Sequence, residues 1–295
     1  MLKAKRIRLY FVLLMVALSS GCTTTSRSPS VNSLLLAEPE PVSQRSQMVI
    51  ARYTHILYEA ALSDAERAEL LFQRGIAYDS LGLSSLAQRD YTETLRLKPD
   101  MAEAYNSVGV HYTQQGQFIR AYEAFDSTLE INPDYHFAIL NRGIALYYGG
   151  RSDLASLDTQ VFLDQEPSDP IRALWHFIAS RQTNEVRALE QLRTNRQQLD
   201  DQRWATTMVD FYLGESTEAG VVAALISDVR SQTELNNRLC EAYFYLGKYH
   251  AAKGNNTTAA NYFKLSLSTN VHEYVEHKFS RVELANIRAS ERAVN

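Results

Sequence analysis

LFQRGIAYDSLGLSSLAQRDYTETLRLKPD (residues 71–100) and YNSVGVHYTQQGQFIRAYEAFDSTLEINPD (residues 105–134) carry the same punctuation 34 residues apart. ILNRGIALYYGGRSDLASLDTQVFLDQEPS (residues 139–168) repeats it more loosely. Gly75, Gly109 and Gly143 form one column, and Gly82, Gly116 and Gly150 a second. Ala87, Ala121 and Ala155 form a third, and Pro99, Pro133 and Pro167 a fourth. Strict spacing in four columns marks stacked supersecondary units, none of which buries its apolar face alone. Each unit reads as two helices joined by a turn. The first Gly and the Ala are small because two helices cross there, and aromatics such as Tyr91 and Phe125 fill the space beside the crossing. The second Gly supplies a left-handed helix cap, and the Pro ends the second helix. Ser63-Asp64-Ala65-Glu66 is a capping box that starts the first unit's helix.

These columns resemble the tetratricopeptide repeat, which implies an all-α, right-handed helical solenoid with capping helices at both ends. The repeats are read as residues 68–101, 102–135 and 136–169. Tyr243, Leu246, Gly247, His250, Gly254, Ala259 and Phe263 return to the pattern, giving a C-terminal repeat over 240–273. Residues 170–236 between them read as divergent helix pairs, with Trp175 and Trp204 as candidates for the aromatic column. A capping helix over 44–67 precedes the array, and a capping helix and tail over 274–295 follow it.

The chain opens with Lys3, Lys5, Arg6 and Arg8, an apolar run from Leu9 to Leu18, and then Ser19-Ser20-Gly21-Cys22. Ten apolar residues span about 15 Å as helix, half a bilayer core, so this reads as a signal peptide over 1–21. The small residues before Cys22 resemble a lipoprotein processing site, although Ser19 stands where Leu is usual. Cleavage leaves Cys22 as the lipidation site, carrying diacylglycerol and an N-acyl chain; no other cofactor is expected. Thr23 after it, with no Asp, resembles lipoproteins sorted to the outer membrane, lipid-anchored and facing the periplasm. Residues 22–43, with Pro29, Pro39 and Pro41, form a flexible tether. Processing removes four of the 30 basic residues and none of the 34 acidic ones, taking the net charge from −4 to −8. That opposes nucleic-acid binding, which needs a clustered positive face.

No catalytic motif stands out, so no enzyme activity is expected. His272 and His277, five apart, would stand about 140° apart on a helix and could not chelate together; a surface or capping role is expected. Cys240 reads as a small buried hydrophobe. In a tetratricopeptide unit the first helix lines the concave face through positions 2, 5, 9 and 12. Here these are Glu69, Phe72, Ile76 and Asp79; Glu103, Asn106, Val110 and Thr113; and Phe137, Leu140, Ile144 and Tyr147. The lining is apolar and aromatic with acids at its mouth, suited to an extended or helical peptide or to burial by the chain's own ends or a second protomer.

Several stretches go beyond the generic repeat. Residues 78–83, 121–127 and 141–151 (NRGIALYYGGR), then 244–249 (FYLGKY) and 270–277 (NVHEYVEH), resemble the NlpI family of outer-membrane lipoproteins. The last two are the more specific, because the repeat pattern does not require them. The resemblance implies a homodimeric periplasmic scaffold that docks a tail-specific protease, presents to it a peptidoglycan endopeptidase for degradation, and gathers other wall hydrolases. It also implies dimerisation through the N-terminal helix, whose apolar side is Val49, Ile50, Tyr53, Leu57 and Tyr58. The alternative is a repeat lipoprotein that assembles another envelope machine, such as a pilus or secretion system.

Overall fold

In a computed structural model, residues 35, 36 and 38–294 are described, and they form fourteen α-helices with no strand among them. Cys22, the signal peptide and most of the tether lie outside the described residues. The helices are α1 (Gln44–Glu59), α2 (Asp64–Ser80), α3 (Ser84–Leu97), α4 (Ala102–Gln114), α5 (Phe118–Ile131), α6 (His136–Tyr148) and α7 (Ser152–Asp164). They continue as α8 (Pro170–Ser180), α9 (Glu185–Arg196), α10 (Trp204–Leu213), α11 (Glu218–Ile226), α12 (Gln232–Ala252), α13 (Asn256–Ser268) and α14 (Val275–Val294). From α2 to α13 successive helices pack as pairs, each pair against the next, in an all-α solenoid.

The columns of small residues explain the pairing. A Cβ on Gly75 would lie 2.6 Å from the Tyr91 ring, one on Gly109 2.7 Å from Phe125, and one on Gly247 2.5 Å from Phe263. The aromatic of the second helix therefore seats directly on the first helix's backbone. At Gly143 the neighbour is Thr159, 3.1 Å away, which accounts for the looser look of the third unit. Gly82, Gly116, Gly150 and Gly254 hold φ between +71° and +76°, closing their helices as the left-handed cap requires. A further column emerges in the buried hydroxyls. Thr94 and Thr128 each donate to a carbonyl four residues back, 2.9 Å in both cases. Each also reaches a carbonyl of the paired helix, Ala68 or Ala102.

Two boundaries differ from the sequence reading. The Ser63–Glu66 capping box starts α2 at Asp64 as read from the sequence, so the N-terminal helix ends at Glu59, short of the span to residue 67 given to it. Ser231 caps α12 by accepting from the Glu234 amide, and the helix runs 21 residues from Gln232 with no Pro inside it. Trp175 is buried in α8, whereas Trp204 is only half-buried at the start of α10.

Candidate functional site

The inner face of the solenoid is occupied by α14. Its sequence alternates at helical spacing: Glu276, Phe279, Ser280, Glu283, Leu284 and Ile287 are buried, while Arg281, Ala285, Arg288 and Arg292 are exposed. The buried side lies on first helices of several pairs. Phe279 stacks on Tyr148 of α6 with ring centroids 5.0 Å apart and planes 10° from parallel. Glu276 accepts from the Tyr245 hydroxyl of α12 at 2.8 Å and from the Trp175 indole of α8 at 3.3 Å. Glu283 accepts from the Tyr148 hydroxyl at 2.7 Å and pairs with Lys248, which also donates to Tyr147 at 2.7 Å.

Energetics assign different jobs to these contacts. Burying Phe279, Leu284 and Ile287 contributes about 1.5–3 kcal/mol each. The buried acids cost desolvation, which burial registers by pushing the Glu276 carboxyl above its ordinary range. Burial alone would lower Lys248, but the Glu283 carboxylate and Tyr147 hold it above the usual lysine range. Apolar burial thus holds the helix, and the polar pairs fix where along the groove it sits.

The twelve expected groove residues divide between buried and exposed positions. Phe72, Thr113, Leu140 and Ile144 are buried, and Tyr147 is engaged by Lys248. Asn106 accepts from Asn141 at 3.0 Å, and Val110 packs half-buried on the core. The Asp79 carboxylate accepts from the Tyr91 hydroxyl at 3.1 Å and bonds the His111 imidazole at 3.0 Å. Glu69, Ile76, Glu103 and Phe137 remain exposed, Phe137 at 62%. On α1, Val49, Ile50, Tyr53 and Leu57 are half-buried and Tyr58 is 85% exposed. Among the described residues no helix is long and apolar enough to cross a membrane.

The histidine geometry corrects the sequence reading. Because α14 starts at Val275, His272 sits in the preceding turn rather than on the helix, and its ring comes within 4.6 Å of the His277 ring. His277 is buried, not superficial. Its Nε2 donates to the Leu267 carbonyl at 3.2 Å, capping the end of α13 from inside. Burial, then the neighbouring His272, push His277 down to about 4. The sequence signal that locates this turn is Asn270, which takes φ +58°, a conformation that Asn tolerates and a helix does not.

Residues 72–136 match the tetratricopeptide repeat family. Among solved structures, a tetratricopeptide repeat protein from Parabacteroides merdae is 21% identical, with 83% of this chain and 78% of that chain covered and a TM-score of 0.48. PilF of Pseudomonas aeruginosa is 14% identical, covering 75% and 100%, with a TM-score of 0.43. PilW, described as a widely conserved type IV pilus biogenesis factor, is 18% identical, covering 80% and 98%, with a TM-score of 0.38.

Proposed function

We propose that this chain is a non-catalytic adaptor, lipid-anchored through Cys22 at the outer membrane and facing the periplasm. In this reading it docks a tail-specific protease together with a peptidoglycan endopeptidase and other wall hydrolases, as a homodimer built through α1. The observation that carries the reading is where the NlpI-like stretches lie. Residues 244–249 and 270–277, which a generic repeat does not need, meet at the seam that holds α14, where Tyr245 donates to Glu276; beyond the second stretch Lys248 pairs with Glu283. The resemblance therefore coincides with one particular closure of the solenoid. The mechanism is proximity, since tethering two partners raises their effective concentration without chemistry in the scaffold.

Affinity capture of the protein from envelope extract tests this. Recovery of a tail-specific protease with a wall endopeptidase, and faster loss of that endopeptidase when purified protease and scaffold are combined, is the expected result. Recovery of pilus or secretion subunits in their place would overturn it.

A further inference from the structure

A second feature of α14 points outward. Lys278, Arg281, Arg288 and Arg292 fall on one side of the helix, the three arginines exposed. Among the described residues none of the four has a carboxylate within ion-pair distance; Lys278 donates only to the Glu273 carbonyl, at 3.3 Å. Four unpaired cations in a row are unexpected in a chain whose net charge is −4. At its N-terminal end the row opens into a cavity of about 240 Å³ between α14, the α2–α3 turn and α4, lined by Lys278, Arg281, His272, His277, His111 and Asp79. Asp79 is the sole carboxylate of that lining, and its Oδ2 is already bonded by Tyr91 and His111.

We infer that this cavity and row form a binding site for an extended acidic peptide. The peptide's C-terminal carboxylate sits between Lys278 and Arg281, and further acids run along Arg288 and Arg292. The dimensions agree: Lys278 to Arg292 spans about 21 Å of helix axis, which an extended peptide of about six residues covers. Arginine beside a planar carboxylate allows paired hydrogen bonds, which give orientation as well as charge. The electrostatics agree too. Burial lowers both imidazoles, and the Arg281 and Lys278 charges lower them further, so among the described residues the lining sets two cations against the single carboxylate of Asp79. The proposal takes a polypeptide as ligand on the strength of the scaffold reading above; it requires nothing about a protease.

The test uses the full chain in zwitterionic detergent and a fluorescein-labelled hexapeptide of alternating Gly and Glu with a free C-terminal carboxylate. Binding read by anisotropy should weaken about tenfold on amidating the peptide, and similarly in Arg281→Gln. Arg281 is exposed and unpaired, so this variant should melt as the parent does. Arg288→Gln provides a second variant away from the cavity and should weaken binding less. The His272 and His277 titrations, followed by NMR, should move to higher pH when the peptide is bound. Equal affinity for the amidated peptide, indifference to Arg281→Gln, or no binding at about 1 mM peptide would each overturn the site. So would movement of the same imidazole signals on adding phosphatidylglycerol to the micelles without peptide, which would assign the cations to lipid. Envelope capture and this titration fail independently.

Discussion

Lowering the pH should loosen α14, with His277 as the main cause. Its imidazole is 3% exposed, and Nε2 must carry a hydrogen because the Leu267 carbonyl can only accept. Protonation would add a charge beside His272, Lys278 and Arg281 in a site that has already driven the group down to about 4. In the unfolded chain the imidazole titrates near about 6.5. Between those values the unfolded state binds a proton that the folded state refuses, so stability falls as pH falls, beginning near the unfolded value and complete near the folded one. From pH 7.5 to 5.0 the loss is about 2 kcal/mol, or about 4–8 °C in Tm for a domain of this size. Glu276 works in the opposite direction, because its raised carboxyl stabilises the fold at low pH and loses that contribution as pH rises. The informative quantity is therefore the difference between the parent and His277→Gln, whose amide can still donate to Leu267. The parent should lose about 2 kcal/mol more than the variant over this window, read by urea unfolding at both pH values. Identical pH dependence of the two proteins would refute the reasoning.

Gly109→Leu should destabilise the chain by several kcal/mol, about the size of core overpacking or more, because the new side chain meets the Phe125 ring 2.7 Å from its own Cβ. Calorimetry showing an unchanged Tm would contradict the helix crossing. Cys240 is fully buried and burial raises its thiol to about 12, so it should resist a thiol reagent in the native protein and react completely in urea. Fast native labelling would mean that the α12–α13 crossing opens. Cys22→Ala should release the protein from membranes with the circular-dichroism spectrum unchanged; retention in the membrane fraction would remove the lipid anchor from the proposal.

Repeat architecture was legible because it depends on contacts close in sequence. The ring of Tyr91 or Phe125 touches a glycine 16 residues earlier, and the period repeats that offset. Left-handed caps and the capping box are local in the same way. The seat of α14 on α6 and α8 depends on pairs 101 to 135 residues apart, Trp175 with Glu276 and Tyr148 with Glu283, for which no periodic pattern exists. An amphipathic terminal helix was readable; which face of the solenoid it covers was not. The His272–His277 geometry failed for a smaller reason. A helix assumed to run through both residues places them on different faces, and the turn at Asn270 removes that assumption.

Filling the inner face changes what a scaffold of this kind can offer. A helix from elsewhere would have to displace Phe279 from Tyr148 and strand the acids Glu276 and Glu283, whose partners lie on three other helices. Removing one member of a buried charge pair costs about 3–5 kcal/mol, and the lost apolar burial adds to that. Partners are thus better served by what remains open. Exposed apolar side chains are one such feature, Phe137 and Leu157 at 62% and 63% and Ile119 at 67%. The other is the row of arginines that α14 itself brings to the mouth of the groove. The helix that covers this face of the repeats therefore carries, on its opposite side, a row of cations opposite in charge to the protein as a whole.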